Sequence, residues 1–153
     1  MFRHLLIMTA AVTLVAPGVA RDTADLGSKA EALVAEAKKV QLEAQDISKE
    51  LRVKQFDLNK VQEMMSTLTA HVESVNRMVT ELEPMEPSMT EQQKTNFNLV
   101  KSKAELLTVF ATNKQNVLSG DRPHKNRPLL RAKADGIAQR SEMLQKSAMA
   151  LRR

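Results

Sequence analysis

Apolar residues recur along this chain at alternating three- and four-residue steps from position 26 to position 82. The stripe runs Leu26, Ala30, Leu33, Ala37, Val40, Ala44, Ile47, Leu51, Lys54, Leu58, Val61, Met65, Leu68, Val72, Val75, Val79 and Leu82, with Lys54 its one polar member. An ordinary helix drifts against a strict 3.5-residue repeat, so a spacing held this long is the mark of a helix that keeps one seam on a partner. No glycine or proline interrupts residues 28–83, and Ser28 and Glu31 are spaced as a capping box. The pattern predicts one helix over about 26–83, roughly 80 Å long at 1.5 Å per residue.

The pattern stops in ELEPMEPSMTEQQ, residues 81–93. Pro84 and Pro87 lack a backbone N–H and disfavour helix in the residue before each. Ser88-x-x-Glu91 and Thr90-x-x-Gln93 both fit a capping box, so helix is expected to restart at once and the stretch to reverse the chain. The return arm carries the same spacing at Phe97, Val100, Ala104, Leu107 and Ala111, flanked by a second stripe of Leu99, Leu106, Phe110 and Val117. Turn residues fill SGDRPHKNRP (119–128), and a last stripe runs from Leu130 to Leu151.

The expected fold is therefore all-α, with helices at about 26–83, 90–118 and 128–152. The arrangement favoured is a long antiparallel coiled-coil hairpin with a broken return arm. The alternative is an elongated three-helix bundle, because an apolar face wider than a two-helix seam asks for a third helix or a second molecule. In either case the alanine-rich start of the first helix should face the alanine-rich last helix, where small side chains allow close approach.

The first twenty residues are set apart from this fold. Arg3 and His4 precede the apolar run LLIMTAAVTLVA, and small residues at Gly18 and Ala20 follow. A charged start, a short apolar core and a small-x-small end describe a secretory signal peptide, here residues 1–20, too short in its apolar part to span a bilayer as a helix. Residues 21–153 are then one helical domain, expected in the periplasm or outside the cell. The chain has no Cys, Trp or Tyr, so disulfides and thiolate chemistry are absent and Leu, Val, Ala and Met must build the core.

Charge adds one feature. The chain carries +5 overall, yet residues 120–153 hold nine Lys/Arg against three acidic residues. Arg122, Lys125, Arg127, Arg131 and Lys133 form a basic segment suited to an anionic envelope surface, whether lipid or lipopolysaccharide phosphate. Nucleic acid is not expected as a partner, since no aromatic residues are interleaved to stack on bases.

Catalytic chemistry finds no foothold in the sequence. His71 and His124 are the only histidines beyond the expected leader, and no phosphate loop, nucleophile elbow or zinc-type histidine spacing is present. No enzyme activity, small-molecule substrate, cofactor or metal centre is expected. His71 shares its face with Met64, Leu68, Val75 and Met78, which suits a half-buried core histidine. Met85 and Met89, four apart beside glutamates, leave copper handling through thioethers as a lesser alternative.

The stretch MTEQQKTNFN (89–98) resembles the LTxxQ signature of the Spy-type periplasmic chaperones, with Met89 in place of Leu and with Thr90 and Gln93 matching. That resemblance implies a small, exported, all-helical protein that holds unfolded clients on an exposed surface. The residues themselves point to a similar expectation. An exported helical interaction protein, chaperone-like or a scaffold of the envelope or secretion apparatus, would bind a protein or a second copy of itself. Met64, Met78, Met85, Met89, Phe97 and Phe110 are the candidate contact residues. Peripheral binding to an anionic surface through residues 122–133 is the alternative.

Overall fold

The spacing that predicts helix does produce helix, but the chain reverses more often than expected. A computed structural model describes residues 17–112 and 125–152, with side chains described from residue 25 onward. Four α-helices are present among the described residues: α1 (Pro17–Glu50), α2 (Leu58–Leu82), α3 (Glu91–Thr112) and α4 (Arg127–Met149). Short 3-10 segments follow α2 (Glu83–Ser88) and α4 (Ala150–Arg152). The all-α expectation holds, with no strand among the described residues.

The single helix expected over 26–83 is corrected to two helices separated by residues 51–57. Asp57 ends the interruption. Its backbone is extended, and its side chain accepts hydrogen bonds from the Asn59 and Lys60 N–H groups at 2.9 and 3.2 Å, satisfying donors that a helix start leaves bare. Phe56 precedes this cap and Val61 lies four positions beyond it, and both are buried, the pattern of a hydrophobic staple. Lys54, the sole polar member of the stripe, falls in this loop and is exposed. The helix start expected at about residue 26 is also moved, since α1 already runs from Pro17, and Ser28 of the expected capping box is an exposed residue within it.

The second reversal stands as expected. Pro84 and Pro87 lie in the 3-10 segment, and Met89 is extended before α3 begins. Of the two possible capping boxes the chain uses Thr90 and Gln93. The Thr90 N–H donates to Gln93 Oε1 at 2.9 Å, and the Gln93 N–H donates to Thr90 Oγ1 at 3.2 Å. Ser88 instead donates its hydroxyl to the Met85 carbonyl. The Gln93 amide also donates to the Leu151 carbonyl at 3.1 Å, so one side chain starts α3 and finishes the α4 end.

Side-chain pairs give the helix order. Glu50 meets Lys60 and Glu36 meets His71, which sets α1 and α2 antiparallel. Gln41 meets Gln145 while Arg127 reaches Leu51 and Arg152 reaches Glu31, which sets α1 and α4 antiparallel. Gln93 meets Leu151 while Phe110 meets Arg140, which does the same for α3 and α4. Each helix therefore lies beside two others, as an up-down-up-down four-helix bundle. Neither the two-arm hairpin nor the three-helix bundle describes this arrangement.

The core is continuous, running through all four helices with Leu33, Val40, Ile47, Leu68, Phe97, Leu107, Ile137 and Leu144 fully buried. The most extensive pairing is α1 with α4, where Ala30, Ala37 and Ala44 are buried along with Ala134, Ala138 and Ala148. The two alanine-rich helices expected to face each other are thus paired, with these small residues in the common core.

Candidate interaction surfaces

Building up from the methionine and phenylalanine candidates, the packing disperses them. Met89 is 4% exposed and Phe97 wholly buried, so these two belong to the core. Met64, Met78 and Met85 are half-buried and packed against that core. Met64 sits in the first turns of α2, at the opposite end of the bundle from Met85. A hairpin would have left one wide face uncovered near the turn. Two further helices cover it instead.

Phe110 is half-buried, with the Arg140 guanidinium 3.8 Å from its ring centre. Arg140 also donates to the Gly136 carbonyl at 3.0 Å, and a Cβ at Gly136 would lie 3.6 Å from the Phe110 ring. The glycine leaves room for that guanidinium, whose Nη1 a Cβ would meet at 3.0 Å.

A different apolar surface remains outside. Leu99, Leu106 and Val109 on α3 are each about half exposed, as is Met143 on α4. Residues 99 and 106 are seven apart and share one stripe of α3. The antiparallel pairing of 96 with 150 and of 110 with 140 sets Met143 opposite the stretch between Leu99 and Leu106. Val117, the remaining member of the stripe read from the sequence, lies outside the described residues.

The basic segment is also divided. Arg122 lies outside the described residues, Lys125 and Arg131 are exposed, and Lys133 is half-buried. Arg127 turns inward. Its Nε donates to the Leu51 carbonyl and its Nη2 to the Val53 carbonyl at 2.7 Å, with the guanidinium 5.5 Å from the Phe56 ring centre. These bonds satisfy carbonyls at and just beyond the end of α1, which the end of a helix leaves without partners. They also bring Arg52 and Lys54, both exposed, to the same end of the bundle as the α4 start. Sequence reading missed this pairing because the two segments are more than seventy residues apart.

Polar groups inside the bundle are mostly matched. Glu36, 8% exposed at its side chain, accepts from His71 Nδ1 at 2.7 Å and from Lys39 at 2.8 Å. Burial works against its charge, but these hydrogen bonds and charges outweigh that and hold the carboxyl below its usual value. His71 is thus a half-buried residue of the α1–α2 interface. Near the α1–α2 loop an open groove of about 410 Å3 is lined by Asp46, Lys49, Glu50, Val53, Lys60 and Met64. Its charges face one another, with Lys49 on Asp46 at 2.7 Å and Lys60 on Glu50 at 2.6 Å. The Glu50 hydrogen bond raises the Lys60 ammonium above its ordinary value. Among the described residues no three His, Cys, Asp or Glu gather as a metal site.

Thr90 and Gln93, which carry the resemblance to the chaperone signature, are accounted for locally by the capping box they form. Comparison with protein-family models, curated proteins and solved structures yields no match.

Proposed function

We propose that this chain is an exported helical interaction protein, binding another protein or a second copy of itself through the apolar stripe on the outer face of α3 and α4. The observation that carries the reading is the half-exposure of Leu99, Leu106, Val109 and Met143 together on one side of the bundle. Scattered exposed aliphatics are ordinary, but aligned ones on a helix face suit the groove or helix of a partner. Met143 adds a flexible thioether that fits varied surfaces. The charged, apolar and small-residue sequence of positions 1–20 supports export. Holding of unfolded clients and a scaffold role in an envelope or secretion apparatus both fit such a surface.

The test is a Leu99→Ser/Leu106→Ser variant, compared with wild type by light scattering and in suppression of client aggregation at substoichiometric ratios. Because both side chains are half exposed, helicity should be unchanged by circular dichroism. The reading expects either a wild-type oligomer that dissociates in the variant or a holding activity reduced at least threefold. A wild-type monomer without holding activity sinks it, as does a variant matching wild type in both measurements.

A further inference from the structure

The end of the bundle away from the Glu83–Ser88 segment presents a second surface, assembled from two distant parts of the chain. The α1–α2 loop supplies Arg52, Val53 and Lys54, and the start of α4 supplies Lys125, Leu129 and Arg131. Arg127 fastens the two together through the Leu51 and Val53 carbonyls. Arg52, Lys54, Lys125 and Arg131 are exposed, and among the described residues none of these four forms an ion pair. Elsewhere most lysines hold a carboxylate, as Lys29 does Asp25 and Lys146 does Glu142. The carboxylates close by in sequence are engaged: Glu50 with Lys60, Asp46 with Lys49, and Asp57 with the first turn of α2. Asp135, one turn along α4 from Arg131, is exposed and does not pair with it.

Between these cations stand two aliphatic side chains, Val53 and Leu129, each 50% exposed. At the far end of the bundle exposed charges of both signs occur, Glu81 and Glu83 among them, and Arg152 lies 3.7 Å from Glu31.

We infer that this end docks on the surface of an anionic phospholipid bilayer, with the four cations among the headgroups and Val53 and Leu129 entering the interface. The charges complement such a surface, and each Lys or Arg near it adds attraction that salt screens. Small apolar tips amid cations match the boundary between headgroups and acyl chains. The groove beside Val53 is lined by charges already paired with one another, Lys49 with Asp46 and Lys60 with Glu50, so it offers an acidic peptide no free cation, whereas the four unpaired cations lie outside it. The cations at the other end are engaged, Lys29 with Asp25, Lys94 with Glu91 and Arg152 with Glu31, so the unpaired set at this end is the one that meets the surface. This surface is separate from the α3–α4 stripe and does not depend on that reading.

Cosedimentation of the full chain with vesicles tests this, using phosphatidylcholine alone and phosphatidylcholine containing 30% phosphatidylglycerol, at low and high salt. Four proteins are compared: wild type, R52Q/K54Q/K125Q/R131Q, V53S/L129S, and a control that removes cations elsewhere, K38Q/R77Q/K103Q. All retain residues 1–20, so any contribution of that apolar run is common to them. Wild type and control are expected to bind the phosphatidylglycerol vesicles in a salt-sensitive way, and the quadruple variant to lose about fivefold in partitioning per charge removed. V53S/L129S should bind at low salt and release at lower salt than wild type. The inference is overturned if wild type ignores phosphatidylglycerol, or if quadruple and control variants lose binding alike, which would make bulk charge responsible. It is also overturned if the quadruple change dissolves a wild-type oligomer and leaves vesicle binding intact, which would assign this end to a second copy of the chain.

Discussion

Glu36 and His71 sit 35 positions apart on α1 and α2, and their 2.7 Å contact joins the two helices midway along the bundle. A carboxyl held lower in the folded than in the unfolded chain contributes stability above the ordinary glutamate value. That contribution is lost as pH falls through the folded value. Glu36→Gln should therefore cost about 1–2 kcal/mol near neutral pH, since a charge-assisted hydrogen bond becomes a neutral one. The gap between variant and wild type should close on acidification, as pH falls below the ordinary glutamate value and through the lowered value of folded Glu36. Urea denaturation across that pH range checks both statements, and a gap independent of pH refutes them. At this scale the sequence was legible where chemistry is local. The spacing of Thr90 and Gln93 marks one of two possible caps at the α3 start, whereas nothing near Arg127 shows that its guanidinium closes the end of another helix.

Among the elements, the break at residues 51–57 shows how a correct periodicity conceals a turn. Leu51 and Leu58 keep heptad phase because α1 and α2 face the same core, so the apolar count runs on across the loop. The signals of a new helix were nonetheless present in Phe56, Asp57 and Val61, a staple around a cap. Lys54 belonged with them as a loop residue. Gly27 offers a test of propensity within α1. A Cβ there meets nothing within 4 Å, and the residue lies inside the helix. Gly27→Ala should raise stability by up to about 1 kcal/mol through reduced backbone freedom in the unfolded chain. Thermal unfolding followed by circular dichroism should show a Tm higher by a few degrees, and a lower Tm would mean that α1 is not helical at this point.

For the whole molecule, α1 is the spine, flanked by α2 on one side and α4 on the other. Its seam with α4 is set by small side chains, and Ala44 is fully buried there. Ala44→Leu should destabilise the protein by about 1–3 kcal/mol by forcing close-packed helices apart. A chemical-denaturation midpoint equal to that of wild type would show that the helices are farther apart than described. The same packing governs which candidates remain available for contact. Met89 and Phe97 are inside the common core, while Leu99, Leu106 and Met143 stay outside because, among the described residues, each helix packs chiefly on two others.

The all-α class and the identity of the core stripes were determined by the sequence alone, through a helical spacing that each residue shares with neighbours three and four places away. The reversal at Pro84 and Pro87 was determined in the same way, by the missing N–H groups of those prolines. Only the tertiary structure decided the number of helices and which apolar and cationic residues face solvent. Those outcomes rest on contacts between segments tens of residues apart, such as Arg127 with Leu51 and Gln93 with Leu151, and no local pattern encodes such pairings.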